Sequence, residues 1–171
     1  MIRTQTQSDY LKKRYLSLNP GKSLPLEIKK LKDKAPEMQR SGAYTLAITK
    51  KGITIGIVDD NSLFYAAQTL KQLAKYDEGK KILPLCSIKD YPDVLFRGTV
   101  EGFYGQPWSH ADRIEQIRFY GRIKLNTYIY GPKDDPYHSS PNWRKPYPAE
   151  EAEHIKELAK EAAHNKVNFV W

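Results

Sequence analysis

Arg97-Gly98-Thr99-Val100-Glu101-Gly102-Phe103-Tyr104-Gly105-Gln106-Pro107-Trp108-Ser109 is the stretch on which the fold turns. Residues 95–103 read as a strand ending at Gly102. Ser109 caps a following helix, with Asp112 three residues on in the manner of a capping box. Ile114, Ile117 and Gly121 mark the inner face of that helix. Asn126-Thr127-Tyr128-Ile129-Tyr130 is a second strand, followed by a loop over 131–147 rich in Pro, Asp, Tyr and Trp. A helix is predicted from about 148 to 165, with Ala152, Ile155, Leu158, Ala159 and Ala162 in register. Residues 167–171, Val-Asn-Phe-Val-Trp, begin a third strand.

Strand, helix, strand, helix, strand predicts a parallel sheet with right-handed crossovers. A doubly wound nucleotide binder wants a Gly-rich turn after its first strand. The turn here, Glu101 to Trp108, has two glycines three apart with aromatics between, a poor cradle for a pyrophosphate. The eight-stranded barrel is the preferred architecture. A complete barrel takes roughly 250 residues. Residues 96–171 supply 76, so the barrel is expected to be incomplete in this chain.

Working upstream, residues 76–93 read as a junction punctuated by Pro84 and Pro92, which places a domain boundary near residue 95. Before it, Tyr44, Leu46 and Ile48 alternate with smaller and polar residues, as do Ile53, Ile55 and Ile57, around Lys50-Lys51-Gly52: a hairpin with its turn glycine in place. Asp59-Asp60-Asn61-Ser62 stops the second strand and caps a helix whose Leu63, Ala66, Ala67, Leu70, Leu73 and Ala74 face one way. Residues 24–31 are a short strand. Residues 8–18 are predicted as a helix capped by Ser8, with Tyr10, Leu11, Tyr15 and Leu18 in one stripe. The fold class is α/β: a small α+β domain over 1–95, then the first three strands of a (β/α)8 barrel over 96–171.

The net charge of +8 is uneven: residues 1–50 hold eleven Lys or Arg against four Asp or Glu, and residues 51–171 hold seventeen against sixteen. Lys29-Lys30-Leu31-Lys32-Asp33-Lys34 is basic but carries none of the aromatics a nucleic-acid reader interleaves. It reads as a solvated surface, and no nucleic-acid partner is expected. No apolar run spans a bilayer, so no membrane partner is expected. The first seven residues lack the apolar core of a signal peptide; a secreted or periplasmic location is expected only if a leader was lost. Cys86 is the one cysteine, which excludes an intrachain disulfide.

Chemistry in a barrel gathers at the C-terminal ends of the strands. The first strand delivers Glu101, Gly102, Phe103 and Tyr104 there. The second delivers Tyr130, Lys133, Asp134 and Asp135, with Tyr137 and His138 behind. Aromatic faces and charged groups together suit a neutral sugar. Each has a plainer reading: Asp134-Asp135-Pro136 as a turn, Lys133 as a solvated lysine, Tyr104 and Trp108 as core, His110 and His154 as surface. Glu101 is either a general acid or a buried structural carboxylate. Asp134, Asp135 and His138 lack a metal-ligand spacing, and no metal or cofactor is expected.

Two stretches carry a resemblance. Arg97 to Ser109 resembles the first barrel strand of glycoside hydrolase family 84. Asn126-Thr127-Tyr128-Ile129-Tyr130-Gly131-Pro132-Lys133-Asp134-Asp135-Pro136-Tyr137-His138 resembles the second strand and its loop, continued by Asn142-Trp143-Arg144 and Pro146-Tyr147. Residues 40–95, best over Asn61 to Leu70, resemble more weakly the small domain that precedes the barrel, and residues 1–39 match poorly. The resemblance implies a β-N-acetylglucosaminidase that retains configuration by substrate assistance, an exception to the two-carboxylate scheme. The sugar's 2-acetamido oxygen forms an oxazoline while one Asp orients it and an adjacent Asp acts as acid, then base. That pair is expected after a fourth strand, downstream of Trp171, so no catalytic residue is assigned in this chain and Asp134-Asp135 are not the pair. Gly102, whose carbonyl accepts from a sugar hydroxyl, Lys133, which binds hydroxyls, and Tyr104, which lines the pocket, are the implied substrate-binding residues. A GlcNAc-containing glycan or glycoprotein is the implied partner. The alternative is a non-catalytic carbohydrate-binding or assembly module on the same scaffold.

Overall fold

The computed structural model describes residues 15–18, 23–77, 80–139 and 141–171, in two compact units, Met1–Asp93 and Val94–Trp171. The first unit contains β1 (Tyr15–Leu18), β2 (Leu26–Lys30), a 3-10 turn (Pro36–Gln39), β3 (Tyr44–Thr49), β4 (Gly52–Ile57), α1 (Asp60–Leu73), β5 (Lys75–Asp77), β6 (Lys80–Pro84) and β7 (Cys86–Asp90). The second contains β8 (Gly98–Glu101), α2 (His110–Arg122), β9 (Thr127–Tyr130), α3 (Ala149–His164) and β10 (Asn168–Val170). The chain is thus a mixed α/β protein.

In the first unit the predicted hairpin forms. β3 and β4 pair antiparallel with Leu46 opposite Ile55, inside a four-stranded sheet of order β2-β4-β3-β7. Period-two alternation drives Tyr44, Leu46 and Ile48 to one face. There they meet Ile55, Tyr65, Ala66, Leu16 and Leu83 in one apolar core. Burying a side chain such as Leu46 completely is worth roughly 1.5–3 kcal/mol. Gly52 turns the hairpin at φ 147°, and a side chain there would meet the carbonyl oxygen of Pro25. Asp59 caps α1: it accepts from the Ser62 backbone N–H, and the Ser62 side chain returns the box.

Two expectations fail in this unit. Residues 15–18 are a strand, not the end of a helix; the rest of that expected helix lies outside the described residues. β1 pairs antiparallel with β6, and the burial of Leu16 against a distant partner overrides its local stripe. The supposed junction also holds three strands. β5, β6 and β1 make a second antiparallel sheet, and β7 adds to β3 as a sheet edge. Pro84 ends β6 rather than breaking a connection, a position a sheet tolerates.

In the second unit β8, β9 and β10 are parallel and lie in sequence order. α2 and α3 cover one face: Ile117 and Tyr120 from α2, with Leu158 and Ala162 from α3, close on Tyr128 and Val167. The Ser109–Asp112 capping box is formed. Ala152 and Ala159 of α3 are exposed rather than inward, because only Leu158 and Ala162 with the half-buried Ile155 reach the sheet. Val100, Ile129 and Val170, aligned side by side across the three strands, are exposed on the sheet. Gly98 is required by packing, since a Cβ there would fall on the Thr127 carbonyl of β9.

Candidate functional site

The site grows from the C-terminal ends of β8 and β9. The two loops that leave them are tied together by backbone and side chain. Gly131 N–H donates to the Glu101 carbonyl at 3.0 Å, and Lys133 N–H reaches the Phe103 carbonyl at 3.5 Å. Gly105 N–H donates to Asp134 Oδ2 at 3.0 Å. These bonds bring Gly102, Tyr104 and Lys133 to one edge of the sheet. Tyr104 is 83% exposed, which removes the core reading for it. Lys133 is exposed as well, with its backbone held by Phe103 and, through its carbonyl, by Ser139 Oγ. Gly102 has no left-handed φ, and a Cβ there would press Val100 Cγ1 at 3.3 Å. That close approach to Val100 is one reason for a glycine there, and close approach by a ligand would be another.

Glu101 proves to be the structural carboxylate. It is fully buried. Oε1 accepts from the Trp108 N–H at 3.1 Å and Arg113 Nη2 at 2.8 Å. Oε2 accepts from Arg113 Nε at 2.9 Å and from the Tyr128 hydroxyl. Four donors fill its lone pairs, so it has no role left as a general acid. Burial disfavours the Arg113 charge, yet the bidentate contact with Glu101 outweighs it and raises the guanidinium's pKa. Arg113 also lies 4.9 Å from the centre of the Tyr130 ring. Burial first, then the bond to Glu101, pushes the Tyr128 phenol well above its ordinary range. Trp108 is half-buried against this cluster, its ring tilted against Phe103 at 5.5 Å and Tyr128 at 6.4 Å, as its core reading expects.

Asp135 anchors the second loop. It accepts from the Tyr130 hydroxyl at 2.5 Å, the Tyr147 hydroxyl at 2.8 Å, and the backbone N–H groups of Tyr137 and His138. Burial alone would raise its pKa; those donors outweigh burial and lower it. Tyr147, burdened by burial and by Asp135, is pushed up to about 12. With its lone pairs so occupied, Asp135 is no metal ligand, and among the described residues no three His, Cys, Asp or Glu gather around a metal position. His110 and His154 do not stand apart on the surface: their rings stack at 4.2 Å, and His110 Nε2 lies 2.8 Å from Glu157. No helix among the described residues is long and apolar enough to cross a membrane.

The sequence reading missed Arg113. A signal existed: Arg113 sits one turn before Ile117 on the inner stripe of α2, and a charge on a buried stripe requires a buried partner.

Two family models tile this chain. One, described as glycosyl hydrolase family 20, domain 2, matches residues 4–91; the other, beta-N-acetylglucosaminidase, matches residues 97–171. The solved CpGH84B structure superposes with a TM-score of 0.73 at 45% identity, over 80% of this chain and 24% of its own. CpGH84D superposes at 0.74 with 31% identity, over 90% of this chain and 28% of its own. The chain belongs to glycoside hydrolase family 84. The family 20, domain 2 match begins at residue 4, well ahead of residue 40, where the weaker resemblance begins. Curated relatives of this family 84 chain include protein O-GlcNAcase of Rattus norvegicus and of Mus musculus, each 43% identical over 74 residues, or 43% of the chain. A beta-hexosaminidase of Vibrio vulnificus is 36% identical over 83 residues, or 48% of the chain. The chain spans only 8–9% of the length of these curated relatives.

Proposed function

We propose that this chain is the front portion of a β-N-acetylglucosaminidase that releases terminal GlcNAc with retention, through an oxazoline formed by the sugar's own acetamido group. The observation that carries the reading is the joining of the β8 and β9 loops, which presents Gly102, Tyr104 and Lys133 together at one sheet edge. In this reading the Gly102 carbonyl accepts from a sugar hydroxyl, the Lys133 ammonium donates to hydroxyls, and Tyr104 offers its ring to the sugar's C–H face. The substrate is a GlcNAc-bearing glycan or glycoprotein, in keeping with the O-GlcNAcase and hexosaminidase relatives. The orienting Asp and the acid/base Asp come from chain beyond Trp171.

The same reading makes residues 1–95 a small leading domain and residues 96–171 the start of a (β/α)8 barrel. Parallel sheets are ordinarily covered on both faces. The exposed row Val100, Ile129 and Val170 supports a sheet whose other face is meant for further strands.

The test expresses the whole reading frame containing this chain beside residues 1–171 alone, and assays both with 4-nitrophenyl N-acetyl-β-glucosaminide. Hydrolysis by the longer protein and none by residues 1–171 is the expected outcome. Turnover by residues 1–171 would overturn the placement of the acid/base outside them. A frame that supplies no adjacent Asp pair, and no hydrolysis, would leave the non-catalytic carbohydrate-binding module in its place.

A further inference from the structure

Asp134 and Asp135 are neighbours with opposite fates. Asp135 is buried and holds its own loop through four donors. Asp134 is exposed and reaches across to the other loop, accepting from the Gly105 N–H at 3.0 Å. Gly105 follows Tyr104 directly and sits at φ 97°, a conformation that L side chains rarely adopt, and no atom lies within 4 Å of where its Cβ would be. Nothing packs against Gly105 itself. The start of its loop is fixed by the Gly131 bond to the Glu101 carbonyl and the longer Lys133 bond to the Phe103 carbonyl, and its end by the Trp108 bond to the Glu101 carboxylate. Between those ends, Asp134 is the side chain that grips the turn.

We infer that Asp134 is a positioning residue of the sugar site, its carboxylate holding the Tyr104 loop against the loop that carries Lys133. This rests on the glycosidase reading above. Asp135 gives the device a fixed base, because the residue after Asp134 is immobilised. Lys133 lies on one side of Asp134 in sequence, and Tyr104 adjoins the glycine it grips. Loss of the grip frees Tyr104 to swing relative to Lys133 and weakens sugar binding without touching the chemistry. A group that only orients the bound substrate acts on ground state and transition state alike, so its removal appears in KM rather than kcat.

The experiment uses the whole active protein carrying this chain, with 4-nitrophenyl N-acetyl-β-glucosaminide and with amide exchange read at Gly105. Asp134→Ala is expected to raise KM about tenfold, the size of one charge-assisted hydrogen bond. The kcat and both limbs of the pH profile stay where they were, and exchange at Gly105 quickens. Asp134→Asn keeps a carbonyl acceptor and is expected to restore both KM and protection. An unchanged KM in Asp134→Ala overturns the inference. So does collapse of kcat with loss of a pH limb in Asp134→Asn, which would make Asp134 part of the chemistry. No hydrolysis by the wild-type protein sinks the glycosidase reading and the sugar role with it. Gly105 exchange distinguishes that case, since a real clamp still loosens in Asp134→Ala.

Discussion

The two carboxylates Asp59 and Glu101 stand at comparable points, each where a strand gives way to a helix, and the chain uses them in opposite ways. Asp59 is half-exposed and caps α1 while receiving the Ser41 hydroxyl at 2.5 Å and the Gly42 N–H at 3.1 Å. Glu101 is sealed in and bound to Arg113, Tyr128 and Trp108. Their surroundings explain the difference. In the first unit most strands pair antiparallel, with β2 and β4 the parallel exception, and β4 passes almost directly into α1, so a cap at the half-exposed Asp59 suffices. The second is parallel: each strand must hand its chain to a helix and return, and the strand end becomes buried under the helix it feeds. A buried charge pair costs desolvation, and it stabilises the fold only while both partners and their hydrogen bonds are present. The second unit is therefore expected to be the more sensitive of the two to loss of one polar group.

The strongest way to break this contrast is Glu101→Ala against Asp59→Ala. Glu101→Ala leaves Arg113 buried without its partner and is expected to cost about 3–5 kcal/mol. Asp59→Ala removes a helix cap and is expected to cost about 1–2 kcal/mol. Urea unfolding followed by amide exchange resolves the two units. Loss of protection over 98–170 in Glu101→Ala, with protection over 44–73 retained, is the expected pattern. Equal costs for the two variants would dissolve the distinction.

Acid sharpens it next. Asp135 has a folded pKa below its ordinary value, because the donors from Tyr130, Tyr137, Tyr147 and His138 outweigh burial. A depressed carboxylate contributes stability that is fully present above its unfolded pKa, about 3.9, and is lost as pH falls through the folded value. Asp135→Asn should cost about 1–3 kcal/mol at pH 7, since it unpairs buried donors. That deficit should persist at pH 5 and shrink below pH 4 as the wild-type carboxylate takes its proton. A deficit that stays constant from pH 7 to pH 3 would mean that packing, not charge, sets the cost.

How much of this was legible follows the range of the interactions. The β3–β4 hairpin and the caps at Asp59 and Ser109 were readable because each is decided within a few residues. β1 was misread because its four residues are fixed by β6, far along the chain. β7 carries its alternation, Cys86 and Ile88 inward of Ser87 and Lys89, but Pro84 and Pro92 on either side give the stretch the composition of a junction. In the candidate site, the roles proposed for Gly102, Tyr104 and Lys133 come only from the family resemblance, since nothing in their spacing separates a sugar ligand from a loop residue. The Asp134 grip on Gly105 could not be read at all: it spans two loops, and only the folded chain brings them together.

The smallest effect lies in the backbone. The first unit puts glycine where its chain turns left-handed: a Cβ on Gly42, at φ 87°, would lie 2.6 Å from the Tyr65 ring, and Gly52 is equally confined. The second unit instead ends α2 and α3 on Lys124 and Lys166, at φ 64° and φ 57°. Lysine pays there for a conformation that glycine adopts without steric cost, at roughly 1–2 kcal/mol per residue. Glycine loses part of that advantage because its unfolded chain is freer. Lys166→Gly is therefore expected to stabilise the second unit by about 0.5 kcal/mol, read as a small rise in its urea midpoint with an unchanged slope. Gly42→Ala should move the first unit the other way and further, because strain and the Tyr65 clash add. A loss of stability in Lys166→Gly would mean that the lysine side chain, rather than the turn, holds the end of α3, and the contrast in how the two units make their turns would then rest on contacts instead of backbone conformation.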